Sequence, residues 1–258
     1  MPEYDFRAPR LFVRVPLTVG AMVPLDKSQA HYLGTVLRLR AGERVLVFNG
    51  RDGEWSATLQ PSQKRAVALL VEENVRPQAA PSDLHYLFAP IKAARLDYMV
   101  QKAVEMGVSL LQPVLTQHGQ VSRVSSERML ANAVEAAEQC GLLSLPEIKP
   151  LLPLTDILAG WNPARRLVFC DEAAEVQSPV ETLAGLSSVP LALLIGPEGG
   201  FSAGERALLL RHPNVARLSL GPRILRADTA AVAALAVIQA AAGDWRKPSH
   251  KVSAKISE

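Results

Sequence analysis

A chain of 258 residues can hold one large domain or two modest ones. Its 48% hydrophobic and 21% charged residues describe an ordinary globular protein with a sizeable core and argue against wholesale disorder. No apolar run approaches the roughly 18 residues of a membrane span. The start, Met1 to Asp5, lacks the basic-then-apolar layout of a secretory leader, so a cytoplasmic protein is expected.

The net charge of +3 says little, but its distribution says more. Up to Arg51 there are eight basic residues (Arg7, Arg10, Arg14, Lys27, Arg38, Arg40, Arg44 and Arg51) against four acids (Glu3, Asp5, Asp26 and Glu43). That excess suits a phosphate-facing surface, and a merely solvated strand face fits it as well. Cys140 and Cys170 form no CxxC pair and have no histidine set beside them. Buried thiols are expected there, with neither a disulfide nor a metal.

The first part of the chain reads as short strands. Leu11–Val15, Arg44–Phe48, Glu54–Leu59 and Ala66–Val71 are β-rich, with Asn49-Gly50 and Asp52-Gly53 as hairpin-type turn signals. One short helix is expected from Ser28 to about Leu37. Together these predict a small β-barrel domain over residues 1–75. Arg76 to Ser82 contains two prolines among small residues and reads as a linker.

After the linker the rhythm alternates. Strands are expected at 83–89, 110–115, 166–170, 191–195 and 216–220, and helices at 95–106, 126–140, 203–210 and 229–242. Such alternation predicts a parallel sheet covered by helices, an α/β domain over 83–245. A polar tail fills 246–258.

Two loops can carry chemistry. Gly196-Pro197-Glu198-Gly199-Gly200 follows an apolar strand, and Ser202 and Glu205 have capping-box spacing for the next helix. Glycines at a strand's carboxyl end let a ligand approach bare backbone, where open α/β sheets bind their ligands. Neither G-x-G-x-x-G nor a P-loop is present, so a phosphate-cradling nucleotide enzyme is disfavoured. A plain strand-to-helix turn is the alternative reading. The second loop, Leu218 to Arg226, holds a Gly-Pro turn and the arginines Arg223 and Arg226 ahead of Ala227-Asp228-Thr229. Arginine at a helix start is disfavoured by the helix dipole, which points to an anionic partner or to simple solvent exposure.

At these residues the chain resembles a known family. "LLIGPEGGFS" and "LSLGPRILRADTA" look like the 16S ribosomal RNA uridine N3-methyltransferases of the SPOUT, or α/β-knot, superfamily. Arg10-Leu11-Phe12-Val13, the stretch His31 to Arg38 and Gly42 resemble that family's PUA-like N-terminal domain. Lys92, Arg95, Gln101-Lys102, Glu105 and Gly107 resemble a middle signature, as do Glu138 to Gly141. The resemblance implies a trefoil-knotted C-terminal domain, a homodimer and a bent S-adenosylmethionine (SAM). It implies that Leu194, Ile195, Gly196, Pro197, Glu198, Gly199, Gly200, Leu218, Ser219, Leu220, Gly221, Ile224, Leu225 and Arg226 line the SAM pocket. The implied partner is 16S rRNA within the 30S subunit.

The chain departs from the family pattern at Leu142, at Gln117-His118-Gly119 and at Ala227-Asp228. These departures bear on the RNA contacts more than on the cofactor. Uridine N3 needs its proton removed or its anion stabilised. Arg226 is the candidate for stabilising charge and Asp228 for accepting the proton. Arg10, Arg38, Lys92, Arg95, Lys102 and Arg223 are candidate RNA contacts. For Lys92, Arg95 and Lys102, solvation is an equal alternative, and Lys102 has Glu105 within reach. Two rivals stand beside this reading: a SPOUT methyltransferase acting on another RNA site, and a non-catalytic PUA-like RNA-binding protein.

Overall fold

The computed structural model describes residues 8–61, 67–186 and 189–246; Arg7, the start of the strand expected at Ala66 and the tail beyond Arg246 lie outside them. Among the described residues two compact units separate. One takes those up to Ala80 together with Ala137–Ser144, the other Pro81–Ala136 and those from Leu145 on.

The first unit is a curled five-stranded sheet. Its strands are β1 (Arg10–Phe12), β2 (Met22–Pro24), β3 (Arg44–Phe48), β4 (Glu54–Leu59) and β5 (Ala68–Arg76), in the order β1-β3-β4-β5-β2. Leu11, Val23, Val45, Val47, Ala57, Leu59, Leu69 and Val71 bury their side chains in one cluster, the alternation that a half-buried strand requires. The other side of β3 is covered too, since Phe12 meets Phe48 edge-on at 5.6 Å between centroids. β5 has nine residues and runs on through Arg76, the first residue of the segment expected as a linker. The expected helix is two pieces: α1 (Lys27–His31), closed by a capping box from Asp26 and Gln29, and a π-helical turn over Tyr32–Val36. Arg38 follows with φ 56°, a left-handed conformation that is uncommon outside glycine.

The second unit is a parallel sheet with helices. Its main strands are β6 (Leu84–Phe88), β7 (Leu110–Leu115), β8 (Glu147–Ile148), β9 (Leu152–Pro153), β10 (Arg166–Cys170), β11 (Leu191–Ile195) and β12 (Val215–Leu218). The order is β12-β10-β11-β6-β7-β8, with β9 also on β7. Among the described residues every strand pairing in this sheet is parallel. The helices are α2 (Ala93–Glu105), α3 (Ser126–Cys140, whose residues from Ala137 on count with the first unit), α4 (Leu154–Ala159), α5 (Pro179–Ala184), α6 (Ala203–Arg211) and α7 (Ala227–Ala241).

One face of the sheet buries Leu87, Val114, Leu167, Phe169, Ala192 and Leu194 with Leu154, Leu158 and Leu209. α7 buries Ala231, Ala234, Leu235, Ile238 and Ala241, the three-and-four spacing of a helix with one apolar stripe. β11 is buried at all five positions, as a central parallel strand must be. The step from β11 back past β10 to β12 puts the carboxyl ends of β11 and β12 on either side of β10. Open parallel sheets bind ligands at the carboxyl ends of their strands, where the strand order reverses.

Candidate active site

The loop after β11 is shaped by its glycines. A Cβ on Gly196 would lie 2.6 Å from the Phe201 ring, so only glycine lets Phe201 fold back over the loop. Phe201 in turn meets Phe169 edge-on at 5.2 Å. Gly200 has φ +69°, and a Cβ there would lie 2.7 Å from Glu172 Oε1. Leu194, Ile195, Pro197 and Gly200 are buried, whereas Glu198 and Gly199 face outward.

Ser202 and Glu205 make the expected capping box on α6, with the Ser202 amide donating to Glu205 Oε2 at 2.9 Å. The Gln117 amide donates to the other Glu205 oxygen at 2.8 Å. His118 Nδ1 lies 3.2 Å from the Gly200 carbonyl and 3.3 Å from that of Gly199. The segment Gln117 to Gly119 therefore buttresses the first loop.

The second loop leaves β12 with Leu218 and Ser219 buried. The Gly221 amide donates to Ser219 Oγ at 3.3 Å, and Gly221 itself has φ +94° with open space where a Cβ would stand. Arg223 and Arg226 are exposed, Leu220 and Leu225 half-buried, and Ile224 is 97% exposed. α7 begins at Ala227, two residues before the expected start. Arg226 is its N-cap without a side-chain cap bond, and Asp228 falls inside the first turn.

Charged clusters hold these loops, and the sequence did not reveal them. Asp171, just past β10, is buried and accepts from Arg206 of α6 (2.9 Å) and from Arg217 of β12 (2.9 Å). Burial pushes its carboxyl up, yet the Arg206 and Ala173 hydrogen bonds and the two guanidinium charges bring the net shift below the ordinary value. Its position at a parallel strand's carboxyl end was the one available signal, because no periodicity pairs residues 35 and 46 apart.

Arg95, in the first turn of α2, donates from Nε and Nη2 to the two oxygens of Asp228 at 2.8 and 3.0 Å, and from Nη1 to Glu198. The Arg95 hydrogen bonds hold the Asp228 carboxyl below the usual carboxylate range. The three side chains are partly exposed, at 30% for Arg95, 38% for Glu198 and 18% for Asp228.

The candidate RNA contacts divide. Lys92, Arg38 and Arg223 are exposed. Lys102 instead pairs with Glu105 at 2.7 and 2.9 Å, and Arg95 is occupied as just described. Arg10 turns inward, with its side chain only 8% exposed. It donates to Glu54 at 2.6 Å and to the carbonyls of Ala137, Glu138 and Leu142 at 2.8 to 3.2 Å, and its guanidinium lies over Phe48. Arg10 therefore leaves the set of phosphate contacts. Cys140, expected to be buried, is exposed, and Cys170 is half-buried.

Comparison with known proteins places this geometry. Residues 78–239 match the family profile of an RNA methyltransferase domain, and residues 25–72 that of an RNA methyltransferase PUA domain. The chain is 30% identical over 232 residues to the ribosomal RNA small subunit methyltransferase E of Rickettsia conorii, covering 89% of this chain and 94% of the relative. The Synechocystis protein of that name is 32% identical over 241 residues, covering 90% and 77%. Among solved structures, a putative methyltransferase from Legionella pneumophila with bound SAM superposes with a TM-score of 0.79 at 31% identity, covering 92% of this chain and 99% of that one. The Neisseria gonorrhoeae ribosomal RNA small subunit methyltransferase E bound to SAM gives 0.77 at 25% identity, covering 91% and 98%. With a SPOUT-type parallel domain that carries two motif loops at its strands' carboxyl ends, a PUA-like sheet, and a match over nearly its whole length, the chain belongs to the ribosomal RNA small subunit methyltransferase E family of RNA methyltransferases.

Proposed function

We propose that this chain transfers a methyl group from SAM to N3 of one uridine in 16S rRNA, acting on the assembled 30S subunit as a cytoplasmic homodimer. The carrying observation is that the two motif loops leave the carboxyl ends of β11 and β12, the two strands that flank β10, with Arg226 exposed at the head of α7. The residues suit the cofactor. Gly221 leaves open backbone, and Ile224 keeps an apolar side chain wholly in water, a surface that a purine would cover with a gain of roughly 2 kcal/mol. Leu194 to Gly200, Leu218 to Gly221 and Ile224 to Arg226 would hold SAM, which supplies a methyl on a sulfonium.

The remaining chemistry belongs to the protein and the RNA. Arg226 stays protonated, so it acts as a fixed donor to the anion that forms at the uracil ring. Asp228 is a poor proton acceptor, because both of its oxygens already accept from Arg95 and its carboxyl is held low. Its role is to hold Arg95. Residues 1–75 act as the RNA-binding domain, and the exposed Arg38, Lys92 and Arg223 position phosphates in a salt-dependent way.

Radiolabelled SAM offered with isolated 30S particles, and separately with naked rRNA, tests the reading. Labelled 3-methyluridine from the particles is expected. Label at another base or in another RNA overturns the N3 assignment, and no incorporation at all overturns the enzyme. Arg226→Ala should lower turnover by roughly 100-fold while SAM still binds, the usual cost of one oxyanion donor.

A further inference from the structure

Arg95 was legible in the sequence as a cation on a helix face, but the fold gives it a different task. Its guanidinium fork engages Asp228 through two nitrogens at 2.8 and 3.0 Å and Glu198 through the third. The partners stand 133 and 103 residues away. Glu198 belongs to the first motif loop, and Asp228 lies two residues beyond Arg226 at the head of α7. One planar cation therefore ties three separate pieces of chain together.

We propose that Arg95 is a positioning residue for the cofactor pocket: it fastens the Gly196–Gly200 loop and the head of α7 to α2, and so presets the spacing of the two loops before SAM arrives. The inference rests on the SAM reading of those loops. The chemistry requires arginine, because a bidentate grip on one carboxylate with a third bond to another needs the rigid fork that an ammonium lacks. Without the cation, two carboxylates would face each other and drive the loops apart. The cluster is too open to water to add much to global stability. Its effect falls on the binding-competent fraction instead, and the apparent affinity for a ligand scales with that fraction. A phosphate contact for Arg95 would have to break these bonds first.

The test is calorimetric titration of SAM into the full chain and its variants. Arg95→Ala should weaken SAM binding on the order of 10-fold, with Arg95→Lys in between. KM for SAM should rise more than kcat falls, and the salt slope of rRNA binding should stay as in the wild type. Glu198→Gln and Asp228→Asn should each weaken SAM binding, and each should be non-additive with Arg95→Ala, as expected of residues in one network. If Arg95→Ala does not fold, those two isosteric variants decide alone.

SAM affinity within about twofold of wild type in the variants sinks the proposal, as do strictly additive cycles. A salt slope reduced by about one with SAM binding intact would make Arg95 a phosphate contact instead. Failure of the wild type to bind SAM would overturn the methyltransferase reading itself, and the clamp with it. Normal wild-type binding with indifferent variants overturns only the clamp.

Discussion

Two ion clusters, one in each unit, use the same groups in opposite proportion. In the first unit one carboxylate, Glu54, sits fully buried between Arg10 and Arg76, at 2.6 and 2.7 Å. In the second, one guanidinium, Arg95, sits partly exposed between Glu198 and Asp228. The contrast is one of solvent. Glu54 has no water to return to, so its two arginines and their carbonyl partners are a condition of folding. The Arg95 cluster keeps water at hand, so its energy is small and its value lies in geometry. Asp171 stands between the two: its carboxylate is 3% exposed, but its arginines are 34% and 39% exposed.

The sharpest way to break this comparison is Glu54→Ala. Two guanidinium groups would lose their counter-charge, one of them buried, and unfolding free energy should fall by about 3–5 kcal/mol. Denaturant titration reads this as a lower midpoint with unchanged slope; a loss under about 1 kcal/mol would place Glu54 with the solvent-screened clusters. Asp171→Asn should cost less, on the order of 1–3 kcal/mol, because Arg206 and Arg217 can turn to water. A loss as large as that at Glu54 would show that burial of the carboxylate alone sets the energy.

A further effect concerns a titratable group outside these clusters. His85 on β6 is pushed down to about 4, chiefly by burial and then by Arg165. It stays neutral in the folded protein where the unfolded chain binds a proton, so its contribution is complete above about pH 6.5 and is lost as pH falls towards about 4. Asp171, shifted below its ordinary value, contributes at higher pH and is lost only at more acidic pH, as the solution falls through its lowered folded value. Melting temperature should therefore decline between pH 6.5 and 4 in the wild type, and His85→Gln should flatten that limb. An unchanged limb in the variant would remove His85 as its source.

How much of this was legible depended on element length and on whether a residue's role is local. Arg44–Phe48, Glu54–Leu59, Leu110–Leu115, Ser126–Cys140, Arg166–Cys170 and Leu191–Ile195 fold with the bounds their patterns predicted. Periods of two and of 3.6 are set by the backbone itself; about five residues display the first, whereas the second needs about 11 or more. β2, β8 and β9, of two or three residues each, and the six-residue α4 and α5 went unread, since so few positions carry no period and tertiary pairing makes them.

The sequence by itself also determined the two motif loops and the capping box of α6, because turns and caps are short-range chemistry. The fate of each arginine was decided only by tertiary structure. Arg10, Arg95 and Arg226 are alike as letters, yet one is buried against a carboxylate, one joins a loop carboxylate to one at a helix head, and one faces solvent. A charge's task is set by what lies within hydrogen-bonding distance, and for Arg95 those partners come from more than a hundred residues away.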